Sequence, residues 1–173
     1  MKLAWGKKVS KLFCERVVWI GKDLEFDPGF LMGCMAFETG RTFRADIKNA
    51  GGSGATGLIQ FMPQTAGGLG TSTQALAAML PENQLNYVWK YFEKWRGRLH
   101  NLGDIYMAIL WPAAVGKPEN YALFDRDGPK PVQYMQNKGL DLDMNGLITR
   151  KEAAAKVQAH YDEGLSASLA REM

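Results

Sequence analysis

The stretch PGFLMGCMAFE, Pro28 to Glu38, limits what this chain can fold into more than any other. Asp27 is a favourable helix N-cap and Pro28 suits the first helical position, so a helix is predicted from about 28 to about 38. Its Phe30, Leu31, Met32, Cys34, Met35, Ala36 and Phe37 leave no polar stripe. A helix that is apolar all round has to be surrounded by other elements, so the fold must be built about this segment.

Helical periodicity governs the rest, and the predicted class is mainly α. Val9, Leu12, Phe13, Arg16, Val17 and Ile20 recur at three- and four-residue spacing, giving a first amphipathic helix that closes at Gly21. Between Thr39 and Gly57 the chain is polar and glycine-rich, with room for a loop or a short hairpin. Further helices are predicted at 63–67, 73–79, 81–96 and 102–110, the last ended by Trp111-Pro112, and two helical pieces flank Asp141 to Glu152. Ser166 to Met173 reads as a frayed tail. The 173 residues suffice for a proper core. The organisation expected is a main region at 1–125 and a small element at 126–173 packed on the same domain.

Composition excludes several classes. No apolar run approaches the roughly 18 residues of a spanning helix. The basic start is interrupted by Lys7, Lys8, Lys11, Glu15 and Arg16, so it reads as a helix and not as a secretory signal. Cys14 and Cys34 sit in apolar helical contexts that favour buried thiols over a bridge. A net charge of +3 without a basic, aromatic-interleaved stripe argues against a nucleic-acid partner.

Gly52-Ser53-Gly54-Ala55-Thr56-Gly57 fits the G-x-G-x-x-G pattern of dinucleotide loops, but its context does not. No buried strand leads in, Pro63 would break a helix leaving the last glycine, and no acid stands about 20 residues on. The glycines therefore serve something other than a phosphate.

Glu38 is the one charged side chain in the apolar helix and stands at its last turn. Burial and the negative end of the helix dipole both disfavour its carboxylate, so a raised pKa is expected. A protonated acid of this kind suits the protonation of a glycosidic oxygen. An ordinary, partly exposed glutamate in a helix-ending turn fits the same residues. Asp46 is a candidate second carboxylate, and Trp89, Trp95 and Trp111 are candidates for a sugar platform or for core.

"FETG" followed by "SGATGLIQFMPQTA" resembles the soluble lytic transglycosylase and goose-type lysozyme group, whose pattern joins E-S or E-T to G-A-x-G-L-M-Q-I-M-P-x-T-A. The matching positions are Glu38, Gly54, Ala55, Gly57, Leu58, Gln60, Met62, Pro63, Thr65 and Ala66. The likeness runs from about Lys7 to about Tyr121, where "QLNYVWKYFEKW" resembles the following helix of the family and "DIYMAILWPAAVGKPENYALF" resembles stretches in bacteriophage endolysins of the group. The resemblance implies a lysozyme-like helical domain with a loop or hairpin beside the active site. It implies cleavage of peptidoglycan glycan strands between N-acetylmuramic acid and N-acetylglucosamine by Glu38, with no cofactor in the glycosidic chemistry. It also implies a monomeric endolysin made in the host bacterial cytoplasm without a signal peptide and acting on the wall after release. Thr39 replaces the usual serine, and Gln60 is the expected amide contact to sugar. The family's A-Y-N-A-G tyrosine falls on Leu110, and its asparagine on Trp111, which leaves Tyr91 and Tyr106 as substrate-contact candidates. The missing tyrosine makes hydrolysis the expected outcome; the alternatives are a lytic transglycosylase and a non-catalytic, calcium-dependent glycan-binding protein.

"DLDMNGLITRKE", Asp141 to Glu152, matches the EF-hand calcium loop. Asp141, Asp143 and Asn145 offer oxygens at positions one, three and five, Gly146 makes the turn, Leu147 offers its carbonyl, and Glu152 is the bidentate ligand. One loop with a short incoming helix predicts a structural calcium clamp, separate from the Glu38 site.

Overall fold

The computed structural model describes residues 1–173. It is mainly helical. Its helices are α1 (Lys11–Leu24), α2 (Pro28–Glu38), α3 (Pro63–Gly68), α4 (Thr73–Ala77), α5 (Pro81–Phe92), α6 (Leu102–Leu110), α7 (Pro131–Asn137) and α8 (Arg150–Gly164). Two small antiparallel sheets accompany them, one pairing β1 (Lys2–Leu3) with β4 (Arg171–Glu172), the other β2 (Ala122–Asp125) with β3 (Leu147–Thr149).

The apolar α2 is the centre of the molecule, as its composition requires. Asp27 caps it by accepting the Gly29 amide at 2.7 Å. α8, α6 and α1 pack around it, and Leu31, Met32, Cys34, Met35 and Ala36 have no exposed surface. One hydrophobic cluster includes these residues together with Leu140, Ile148, Ala153 and Val157. The core is thus continuous across position 125. Cys14 and Cys34 are free, buried thiols, and no helix is long and apolar enough to cross a membrane.

Two expectations need correction. The first helix runs on past Gly21 to Leu24 and ends at Glu25, whose φ of 65° is left-handed. Gly21 accepts a hydrogen bond from the Phe26 amide at 2.9 Å and so lies inside the closing turn. The C-terminal residues are also not frayed. β4 pairs with β1 in the register Lys2–Glu172 and Leu3–Arg171, and the Met1 ammonium donates to the Met173 carbonyl at 2.7 Å. Burial of Leu3 and Trp5 anchors this junction, and the Trp5 indole donates to the His160 carbonyl at 2.8 Å.

The glycine-rich segment folds as a narrow hairpin, with bridges from Lys48 to Thr56 and from Thr56 to Phe61. Gly57 has φ +87°, and a Cβ there would stand 2.3 Å from Oε1 of Gln84. Gln84, on α5, is fully buried. Its amide accepts from Leu58 N at 2.7 Å and donates to the carbonyls of Ala45 at 3.0 Å and Leu76 at 2.9 Å. The last glycine is therefore required by the helix below the loop.

Candidate active site

α2 delivers Glu38 to the edge of the core at its last turn, between the glycine hairpin, α6 and α7. A cleft of two adjoining compartments opens there. One, of about 370 Å³, is walled by Phe37, Tyr106, Leu140 and Lys156 among others. The second, of about 350 Å³, is walled by Ser53, Ile59, Gln60, Met62 and Ile109 among others. Glu38, Asn49, Leu110, Gln136 and Asn137 line both, so the carboxyl stands at their junction.

Glu38 is partly exposed, and no ion pair of the chain involves it. Desolvation pushes its pKa up to about 8. At neutral pH it holds a proton, as a general acid must. Tyr106 faces the same cleft from α6. Burial, and then the Glu38 charge, hold its hydroxyl well above the ordinary tyrosine range.

The remaining residues expected at the site divide. Thr39 is buried, and its hydroxyl donates to the Met35 carbonyl at 2.7 Å while accepting from Phe43 N at 3.0 Å. It shapes the chain after Glu38 and does not line the cleft. Gln60 does line it, but its amide nitrogen donates to the carbonyls of Ile47 and Gly57 at 3.2 and 3.1 Å. Tyr91 is turned away, its hydroxyl held by the Ala108 carbonyl at 2.5 Å. Asp46 pairs with Arg44 at 2.7 Å, and Glu38 is the only carboxylate lining either compartment. Trp89, Trp95 and Trp111 lie outside the cleft. Trp111 packs edge-on against Phe124 with centroids 5.3 Å apart, and Trp95 lies under the Arg98 guanidinium at 4.9 Å.

Sequence reasoning missed Asn49, Gln136 and Asn137. Asn49 sits within a hairpin whose register the sequence leaves open. Gln136 and Asn137 belong to α7, distant along the chain, and neither periodicity nor motif brings them to Glu38. No local signal marked the last two: α7, PVQYMQN, already carries Gln133, and charged stretches flank it on both sides.

The loop from Asp141 to Glu152 is organised around its own oxygens. Asp141 accepts from Gly146 N at 2.9 Å and from the Tyr134 hydroxyl at 2.7 Å, and these bonds, the tyrosine's first, hold its carboxyl below the usual range. Asp143 Oδ1 accepts from Asn145 N at 3.1 Å, and Asn145 Oδ1 from Leu147 N at 2.7 Å. Glu152 completes a capping box with Thr149 at the start of α8. Carboxylate oxygens of Asp141, Asp143 and Glu152 lie within 4.8 Å of one another and can hold a metal ion. The donor set, all oxygen with Gly146 at φ +88°, fits a hard cation. Leu147 opens β3, which pairs with β2 and places Ile148 opposite Phe124, both buried.

Comparison with known proteins returned no family model matching the chain, no curated protein similar to it at a significant level, and no solved structure matching it.

Proposed function

We propose that the chain is an endolysin-type muramidase that cleaves peptidoglycan glycan strands between N-acetylmuramic acid and N-acetylglucosamine, with Glu38 as the general acid. One observation carries this reading: a solitary carboxyl raised to about 8 at the junction of a two-compartment cleft. A polymer laid along the cleft would have its scissile bond over Glu38 and a sugar in each compartment. Glu38 donates its proton to the bridging oxygen as the C1–O bond breaks, and the chain leaves as an alcohol. Water then adds to C1 while the Glu38 carboxylate takes its proton, which restores the acid. The amides of Asn49, Gln136 and Asn137 offer contacts to acetamido and hydroxyl groups, and Lys156 offers a cation to the lactyl or peptide carboxylates. The sequence resemblance supports the bond and the acid.

A second reading, lytic transglycosylation, draws on the absence of another carboxylate from the cleft. An inverting hydrolase places its base about 6.5–9.5 Å from the acid; attack by the sugar's own C6 hydroxyl dispenses with that base. The hydroxyl adds to C1, Glu38 takes its proton, and an anhydro ring forms. Mass spectrometry of digested wall separates the two: reducing ends mean hydrolysis and anhydro ends mean transglycosylation. Intact strands after prolonged digestion would refute both.

Asp141, Asp143, Asn145, the Leu147 carbonyl and Glu152 would hold calcium in an EF-hand-like loop. The ion would supply structural cross-linking of α7 to α8 and no part of the glycosidic chemistry. We place synthesis in the host bacterial cytoplasm and action at the wall after release, as a monomer.

A further inference from the structure

A second cleft, of about 450 Å³, lies between α1 and α5 and shares no residue with the Glu38 cleft. This volume is within the range of small-ligand sites. Trp19 is 54 % exposed and meets Trp89 with ring centroids 5.9 Å apart at 44°, so the two indoles form an open, tilted cradle. Trp89 is fixed: its indole donates to Asp23 Oδ2 at 2.8 Å, and Asp23 is held in turn by Arg96 at 2.8 Å. That carboxylate is thus satisfied from two sides.

The polar groups of the cleft are not. Arg16 and Lys90 line it, and neither belongs to an ion pair. Arg16 donates to the Glu82 carbonyl at 2.5 Å, which orients the guanidinium without neutralising it. The Lys90 ammonium stands 5.2 Å from the Tyr87 ring centroid. Asn86, exposed on α5, adds an amide. Flat apolar faces, an amide and two cations without ion-pair partners around a concavity suit a sugar ring with an acetamido group and a nearby carboxylate.

We propose that the Trp19–Trp89 cleft is a non-catalytic glycan site that takes a carboxylate-bearing stretch of the wall polymer. The identity of that polymer rests on the function proposed above. The site holds the protein on insoluble wall while the Glu38 cleft turns over, and the two bind separate segments.

Co-sedimentation with purified, insoluble peptidoglycan tests this in the full-length Glu38→Gln protein, which binds without degrading the wall. Adding Trp19→Ala is expected to weaken sedimentation by roughly threefold to tenfold, the effect of one aromatic stacking contact. Lys90→Gln, at an exposed position, should weaken it less and flatten its salt dependence. In the active protein, Trp19→Ala should leave cleavage of short soluble muropeptide oligomers unchanged. Sedimentation equal to the parent's for Trp19→Ala would overturn the proposal. So would Trp19-dependent binding to phosphatidylglycerol vesicles but not to wall, or a parent dimer that Trp19→Ala dissociates. If wall binding depends on Trp19 while the wild type releases no product, the glycan site stands and the catalytic reading fails.

Discussion

Gln136 on α7 and Glu38 at the end of α2 line the same two compartments of one cleft. α7 leads through the single turn Lys138–Leu140, whose Leu140 also lines the cleft, into the acidic loop at Asp141, so a loop expected to be separate from the acid is joined to the cleft wall. Calcium should therefore act on stability and on the cleft together. At a hundredfold excess over Kd, an ion binding only the folded loop contributes about 2.7 kcal/mol, or on the order of 5–10 °C in Tm for a chain of this size. Chelation should also weaken glycan binding by Glu38→Gln protein. Glu152→Gln should abolish the calcium increment, while in chelator it should melt close to wild type, because the glutamine oxygen can still accept from the Thr149 amide in the capping box. Melting curves in calcium and chelator measure this; coincident wild-type curves would mean that the loop takes no calcium of consequence.

The raised pKa of Glu38 has a definite sign in the stability profile. Folding lifts this carboxyl from about 4.5 to about 8, so the folded chain binds more protons than the unfolded one between these values. Its contribution is fully present below pH about 4.5 and is lost as pH rises through about 8. Urea titrations across that window should show wild type losing stability relative to Glu38→Gln as pH rises. Activity should fall on the alkaline side near pH 8, where the acid loses its proton. A difference that stays flat across the window would place Glu38 in water.

Asp104 and Arg150 form a buried ion pair at 2.6 Å that ties α6 to the first turn of α8. Asp104 also accepts from the amides of His100 and Gly116 at 3.1 and 3.0 Å. Asp104→Asn leaves Arg150 buried without its counter-charge and should cost about 3–5 kcal/mol. Replacing both by apolar residues of similar volume should recover part of that loss. Chemical denaturation of Asp104→Asn and of the double replacement measures this; a double replacement no more stable than Asp104→Asn would mean that the buried guanidinium is not what costs.

Gly57→Ala should destabilise by about 1–3 kcal/mol, since the φ of +87° strains any side chain. The Cβ would also drive Gln84 off the Leu58 amide. Gln84→Leu should reproduce much of the loss without touching the loop backbone. If Gly57→Ala melts like wild type, the loop is not held by Gln84.

The central helix and its neighbours were legible because burial imposes pattern. Asp27-Pro28 announces α2, and Asn101 and Ser72 cap helices close to where the sequence places them. The short pairings were not legible. A two-residue strand such as β1 has no periodicity, and its partner β4 lies at the other end of the chain. Within the site, Glu38 stood out because a charge in an apolar run is expensive, whereas Thr39 misled because its hydroxyl serves the backbone. Tyr91 and Tyr106 both suit a cleft by type, and only their packing separates them. Of the Trp19–Trp89 pair, Trp89 was a candidate platform by type, and only the packing of α1 on α5 brings Trp19 beside it.

The decisive measurement is the release of soluble muropeptides from purified peptidoglycan by wild type and by Glu38→Gln, matched in circular dichroism and melting. Glu38→Gln keeps the shape of the side chain and removes its transferable proton. Efficient release is expected from wild type and a loss of roughly a hundredfold or more in the variant, on the scale of general acid catalysis, with wall binding retained. Release by Glu38→Gln at the wild-type rate would contradict the role of Glu38 as general acid.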